Sequence, residues 1–113
     1  MEHPTPDANL LKGNLDLILL EILEAQAMYG LEIINEAQSR TDGYFDFKEG
    51  SLYPALHRLE AQGWLSAAFQ DSDSGGPRRK YYRLTDNGIH ALERKRVEWQ
   101  RFGRAIQSLR GKP

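Results

Sequence analysis

The chain has 113 residues, no cysteine, 40% apolar and 27% charged side chains, and a formal net charge of −1. That describes one small globular unit, too rich in apolar residues to be wholly disordered and without thiols for disulfides or thiolate metal sites. The near-neutral total hides a division: residues 1–76 carry four basic side chains against thirteen acidic ones, whereas residues 77–113 carry eleven against three. Such a division puts a cationic surface on an acidic body.

The opening MEHPTPDAN has no basic segment followed by an apolar run, so no signal peptide is expected, and residues 1–9 read as a flexible arm. The apolar run Leu15 to Leu23 is broken by Asp16 and Glu21 and is too short to span a bilayer, so a cytoplasmic protein is the default. Leu10 and Leu11 begin a short helical turn directed at a partner. Asn14 is the expected N-cap of a first helix running to about Ala25. Its apolar positions wrap well beyond one stripe, which calls for two covers: the chain's own core and a second subunit. A second helix is expected over Tyr29 to Ser39, with Gly30 marking a bend or a close approach. The connector TDGYFDF turns at Thr41 to Gly43 and is anchored by Phe45 and Phe47.

A third helix starts between Glu49 and Ser51, because Pro54 is tolerated only near a helix start. Leu52, Leu56 and Leu59 form its buried stripe, leaving Ser51, Tyr53, His57, Arg58 and Glu60 facing outward, and Gly63 stops it. Trp64 to Gln70 and Lys80 to Leu84 read as an antiparallel hairpin around the polar loop DSDSGGPRR. Trp64 and one of Tyr81 and Tyr82 belong to the core. Thr85 caps a last helix to about Leu109, whose seam of Ile89, Leu92, Trp99, Phe102, Ile106 and Leu109 is interrupted by Arg96. This order is a mainly α winged helix-turn-helix with a small β-hairpin. Residues 1–84 make the DNA-binding domain and residues 85–113 a C-terminal dimerisation helix. Subunit contact is expected at Leu11, Leu17, Leu20, Leu92, Trp99, Phe102, Ile106 and Leu109.

In such a fold the third helix reads the major groove and the hairpin braces the duplex. Arg78, Arg79 and Lys80 suit phosphates or the minor groove, against a plain solubilising role. Ser51 and Tyr53 offer hydroxyls to phosphates, though Ser51 serves equally as an N-cap. His57 either meets a base edge or phosphate or is simply solvated. Catalysis fails on spacing. Ser51 and His57 lie on different faces of one helix, and GGPRRK lacks the glycine-to-lysine spacing of a phosphate-cradling loop. DSDSGG departs from a calcium loop at Gly75 and Tyr82, and the three histidines show no metal-ligand spacing, so neither enzyme activity nor a cofactor is expected.

The segments LLKGNLDLILLEIL, YGLEII, GSLYPALHRLEAQGWL and GGPRRKYYRLTDNG, in this order, resemble the PadR-like transcriptional regulators from Leu10 to about Leu109. The single late helix resembles that family's small subclass. The resemblance implies a homodimeric repressor bound to inverted repeats and released by small molecules such as phenolic acids or drug-like aromatics. It implies DNA contacts at Tyr29, Lys48, Ser51 and Tyr53, and in the wing at Gly76, Arg78, Arg79 and Lys80, with Pro77 adding a residue to the commoner wing tip. It also implies a planar-ligand site at Trp99, beside Leu17, against simple interface packing of the tryptophan. Gly103 supplies no carboxylate for a cationic ligand there. Two rival classes stay open: a winged-helix protein-interaction module, and a small-molecule binding protein that uses Trp99.

Overall fold

The computed structural model describes residues 4–72 and 75–111. Along the chain run α1 (Ala8–Gly13), α2 (Leu15–Leu23), β1 (Met28–Tyr29), α3 (Gly30–Arg40), α4 (Glu49–Ala61), β2 (Leu65–Gln70), β3 (Arg79–Leu84) and α5 (Asp86–Ser108). This is the mainly helical winged fold expected. The strands form one antiparallel sheet in the order β1-β3-β2.

Several local expectations change. The Asp7 carboxylate accepts from the Asn9 and Leu10 amides and caps α1, so the irregular lead-in stops short of residue 9; Met1 to His3 lie outside the described residues. Asn14 is not a side-chain N-cap. It does hold the N-cap position of α2, its carbonyl accepting from the Ile18 amide at 3.0 Å, but its amide nitrogen donates back to the Leu10 carbonyl at 2.9 Å, so the residue closes α1 as it opens α2. The strand β1 was not expected, and it pairs Met28 with Tyr82 and Tyr29 with Tyr81. Ser51 is not an N-cap either, since α4 begins after Lys48.

The largest correction concerns α2. Its Leu15, Ile18, Leu19, Leu20, Ile22 and Leu23 are all buried within the single chain, because α1, α3, α4, α5 and β3 all touch it. One chain therefore supplies both covers, and only Leu17 among its apolar residues stays half-exposed. Leu20 and Leu92, expected at the subunit contact, are 0% exposed in this core and cannot meet a partner.

Other elements form as the residues dictate. Gly63 adopts φ +80, and around it Trp64 N–H donates to the Leu59 carbonyl and Gly63 N–H to the Glu60 carbonyl, a Schellman stop. The hairpin register sets Leu65 against Leu84, Ala67 against Tyr82 and Phe69 against Lys80, with Tyr82 buried. Trp64 is half-buried against the core, its ring 5.5 Å from the Lys95 ammonium. Thr85 is the helix cap anticipated for α5. Its hydroxyl accepts from the Gly88 amide at 3.0 Å and donates to the Gly63 carbonyl at 2.6 Å, which ties the end of α4 to the start of α5.

Beyond Val97, α5 has no buried side chain among the described residues. The face that buries Gly88, Ala91 and Leu92 continues into Trp99, Phe102 and Ile106, and there it is open to solvent: Trp99 is 61% and Phe102 60% exposed.

Candidate nucleic-acid interface

The stripe Leu52, Ala55, Leu56 and Leu59 seats α4 on the core. Its opposite arc presents Gly50, Ser51, Pro54, His57, Arg58 and Ala61 to solvent. That arc carries no acidic side chain, and Gly50, Ser51, Pro54 and Ala61 are small beside His57 and Arg58, so a helix of this kind can approach base edges closely. At its start, Glu49 and Gly50 contribute first-turn amides that have no acceptor within the helix, at the positive end of the helix dipole. Lys48 precedes them, exposed, with Nζ 3.4 Å from Asp46. The Asp46 carboxyl is held below its ordinary range, first by a 2.7 Å hydrogen bond from the Gln38 amide and then by the Lys48 charge. An exposed pair of this kind is weak, which leaves Lys48 able to exchange Asp46 for a phosphate.

Tyr53 sits deeper than its sequence position implied. It is half-buried, and its ring lies so close to Gly30 that a Cβ built there would fall 2.8 Å from the Tyr53 Cζ. Burial, followed by the nearby Glu49 charge, pushes the Tyr53 hydroxyl pKa up, so it stays a protonated donor. His57 is exposed, its ring centre 6.4 Å from that of Tyr53. Arg58 faces outward as its sequence position implied, and the structure adds a functional candidacy that the sequence did not suggest. It is half-exposed on the same arc and hydrogen-bonded to Asp16 of α2. Its spacing of four from Pro54 was the available signal.

The three cations of the wing separate, as alternation along a strand requires. Arg78 is exposed ahead of β3, 3.4 Å from Asp71 and with its guanidinium 5.9 Å from the Phe69 ring centre. Arg79 lies on the outer face of the sheet, stacked 4.4 Å over the Tyr29 ring, which itself meets Tyr81 edge-on at 5.4 Å. Tyr29, at the head of α3, and Arg79 of the wing thus form one aromatic and cationic patch. Lys80 turns to the inner face, where its ammonium is 3.6 Å from Glu60 of α4. Gly76 is exposed beside Pro77, whereas Asp73 and Ser74 lie outside the described residues.

Away from these elements, Leu10, Leu11, Leu17, Ile22, Phe45 and Trp99 help to line an apolar cleft of about 520 Å³ bounded by α1, α2, the end of α3 with the connector after it, and α5. Among the described residues no group of three metal-ligating side chains converges, and no helix is long and apolar enough to cross a membrane.

Comparison with known proteins agrees with this geometry. An uncharacterised protein of Lysinibacillus sphaericus is 37% identical over 92 residues, which is 81% of this chain and 84% of the relative. A transcriptional regulator from Clostridium thermocellum superposes with a TM-score of 0.82 at 31% identity, covering 92% of this chain and all (100%) of that one. A PadR family transcription regulator from Clostridium difficile R20291 superposes with a TM-score of 0.74 at 36% identity, covering 88% of this chain and 100% of its own. Residues 19–94, from the heart of α2 into α5, match the transcriptional regulator PadR-like family, and to that family this chain belongs.

Proposed function

We propose that two copies of the chain form a homodimeric repressor that binds an inverted-repeat operator and leaves it when a small aromatic ligand binds. The observation that carries the DNA half is the outward arc of α4 with Ser51 and His57, flanked by the exposed Arg78 and the Arg79–Tyr29 patch. The α4 arc would read bases, while Lys48, the wing arginines and the tyrosine hydroxyls would fix register on phosphates. The dimer half rests on α5. Its buried face runs on unpartnered through Trp99, Phe102, Ile106 and Leu109, and a second copy offering the same face would cover it. Residues 1–84 would then lie on DNA and residues 85–113 between subunits. A repressor of chromosomal genes works in the cytoplasm.

Replacing Arg78 and Arg79 together by alanine tests the DNA half. The operator affinity is expected to fall about tenfold at moderate salt, and the slope of log affinity against log salt to flatten by about 2, roughly 0.9 for each phosphate no longer neutralised. Undiminished affinity with an unchanged slope would remove the wing from the mechanism. No preference for any duplex would favour a protein-interaction module instead.

Release is supported by the cleft beside Trp99, where Leu17 and the indole provide an apolar slot for a planar ring. Quenching of tryptophan fluorescence by planar aromatics is expected to vanish in Trp99→Phe. Equal quenching in the variant would assign the signal to Trp64 and end the ligand reading.

A further inference from the structure

Arg96 interrupts the apolar seam of α5, and the structure gives that interruption a task. Its Nε donates to Glu21 Oε2 at 2.8 Å and its Nη2 to Glu21 Oε1 at 2.6 Å. The same Nη2 reaches Glu24 Oε1 at 2.7 Å, and Nη1 reaches Glu24 Oε2 at 3.3 Å. Glu21 and Glu24 stand one turn apart at the end of α2, so a single guanidinium fork grips both. Leu92, one turn before Arg96, is the last fully buried residue of α5, and Arg96 makes the last ion pair between α5 and the body among the described residues. From Val97 to Ser108 no side chain of the helix is buried, and of these Trp99 alone helps to line the cleft against α1 and α2.

We propose that Arg96 is a positioning residue for DNA recognition: its double grip on Glu21 and Glu24 sets the angle at which α5 leaves the winged body, and so the distance between the two reading helices of a dimer. This rests on the dimeric, operator-binding reading above and adds to it the element that selects half-site spacing. The lever is long. Twelve residues at 1.5 Å rise give a projecting arm of roughly 18 Å, and a change of about 5° at the base of each of the two arms together shifts the separation of the bodies by up to about 3 Å. That is close to the rise of about 3.4 Å per base pair, so the angle decides between operators that differ by one base pair in their spacer. Hydrophobic packing at Ala91 and Leu92 holds the helix down but leaves its direction soft. A planar fork with fixed donor directions does not. Lysine keeps the charge and loses the fork.

The test uses full-length protein and a duplex that the wild type itself selects from random-sequence DNA, resynthesised with one base pair added to or removed from the spacer. Wild type is expected to discriminate against both altered spacers by about tenfold, and Arg96→Lys, as well as Glu21→Gln/Glu24→Gln, by about threefold or less. All three proteins should remain dimeric in sedimentation and bind random duplex alike. Thermal unfolding of each variant separates positioning from plain stabilisation. Retained tenfold discrimination in Arg96→Lys, or an equal loss on all three spacers that follows a lowered unfolding temperature, would overturn the assignment. A wild type that is monomeric or selects no duplex would overturn the parent reading and this one with it, a result visible before any variant is made.

Discussion

Changing Phe102 and Ile106 together to aspartate is expected to give a folded monomer that has lost its operator. Both side chains are exposed on the open continuation of the buried face of α5, so the body should stay folded as a monomer, its unfolding temperature lowered only by the association free energy that the wild-type dimer adds. Aspartate within a helix costs only a few tenths of a kcal/mol per position. Across a two-fold contact the same change removes four large apolar side chains. At about 1.5–3 kcal/mol for each fully buried side chain, that is far more than the 1.4 kcal/mol that changes a dissociation constant tenfold. Four buried carboxylates would add a desolvation penalty. A dimer constant weakened by at least about 10³-fold is expected in sedimentation equilibrium. Uncoupling the two half-sites should then lower operator affinity by about 10²-fold or more, with single half-site affinity unchanged. A variant that still sediments as a dimer would place the subunit contact elsewhere.

That prediction uses α5 alone because the apolar residues of α2 are consumed by their own chain. The breadth of the α2 apolar arc was plain in the sequence, but how many of the chain's own elements converge on it is a tertiary fact. Five elements surround α2, with Leu19 and Leu20 fully buried among them, and no window of local periodicity can count them. The helices with a strong period were legible to within a residue or two, as were the Gly63 stop and the Thr85 cap, because each is signalled by residues close by along the chain. What escaped was short or distant. The two-residue strand β1 has no period to read, and of α1 the helical turn at Leu10 and Leu11 was legible but its earlier start and Asp7 cap were not. The packing of Tyr53 on Gly30 joins residues more than twenty apart, and Arg96 looked like a flaw in a seam because its carboxylate partners lie far back on α2. The residue types of the candidate interface were readable. Their division into an outer face with Arg79 and an inner face with Lys80 needed the strand register.

Two glycines of α5 should respond to alanine with opposite signs, and the contrast tests how the arm is seated. Within a helix, alanine is favoured over glycine by about 1 kcal/mol, so propensity alone predicts that both changes stabilise. At Gly103 nothing lies within 4 Å of an added Cβ, and the full gain is expected there. Gly88 is buried where α5 begins. A Cβ built on it would overlap the Trp64 carbonyl oxygen and stand 3.0 Å from the carbonyl carbon. The obstacle is backbone, held by the Thr85 amide donating to that same carbonyl at 3.1 Å, so no flexible side chain can yield. Forcing an extra methyl into such packing costs about 1–3 kcal/mol and occasionally more, which exceeds the helical gain once the backbone cannot move aside. Gly88→Ala is therefore expected to lose about 2 kcal/mol net and roughly 10 °C in unfolding temperature, while Gly103→Ala gains a few degrees. Relief of the clash would also lift the base of α5 from Trp64, two turns before Arg96, so the spacing preference of the variant should relax along with its stability. Equal and positive shifts at both positions would show that the base of α5 does not rest on the Trp64 backbone.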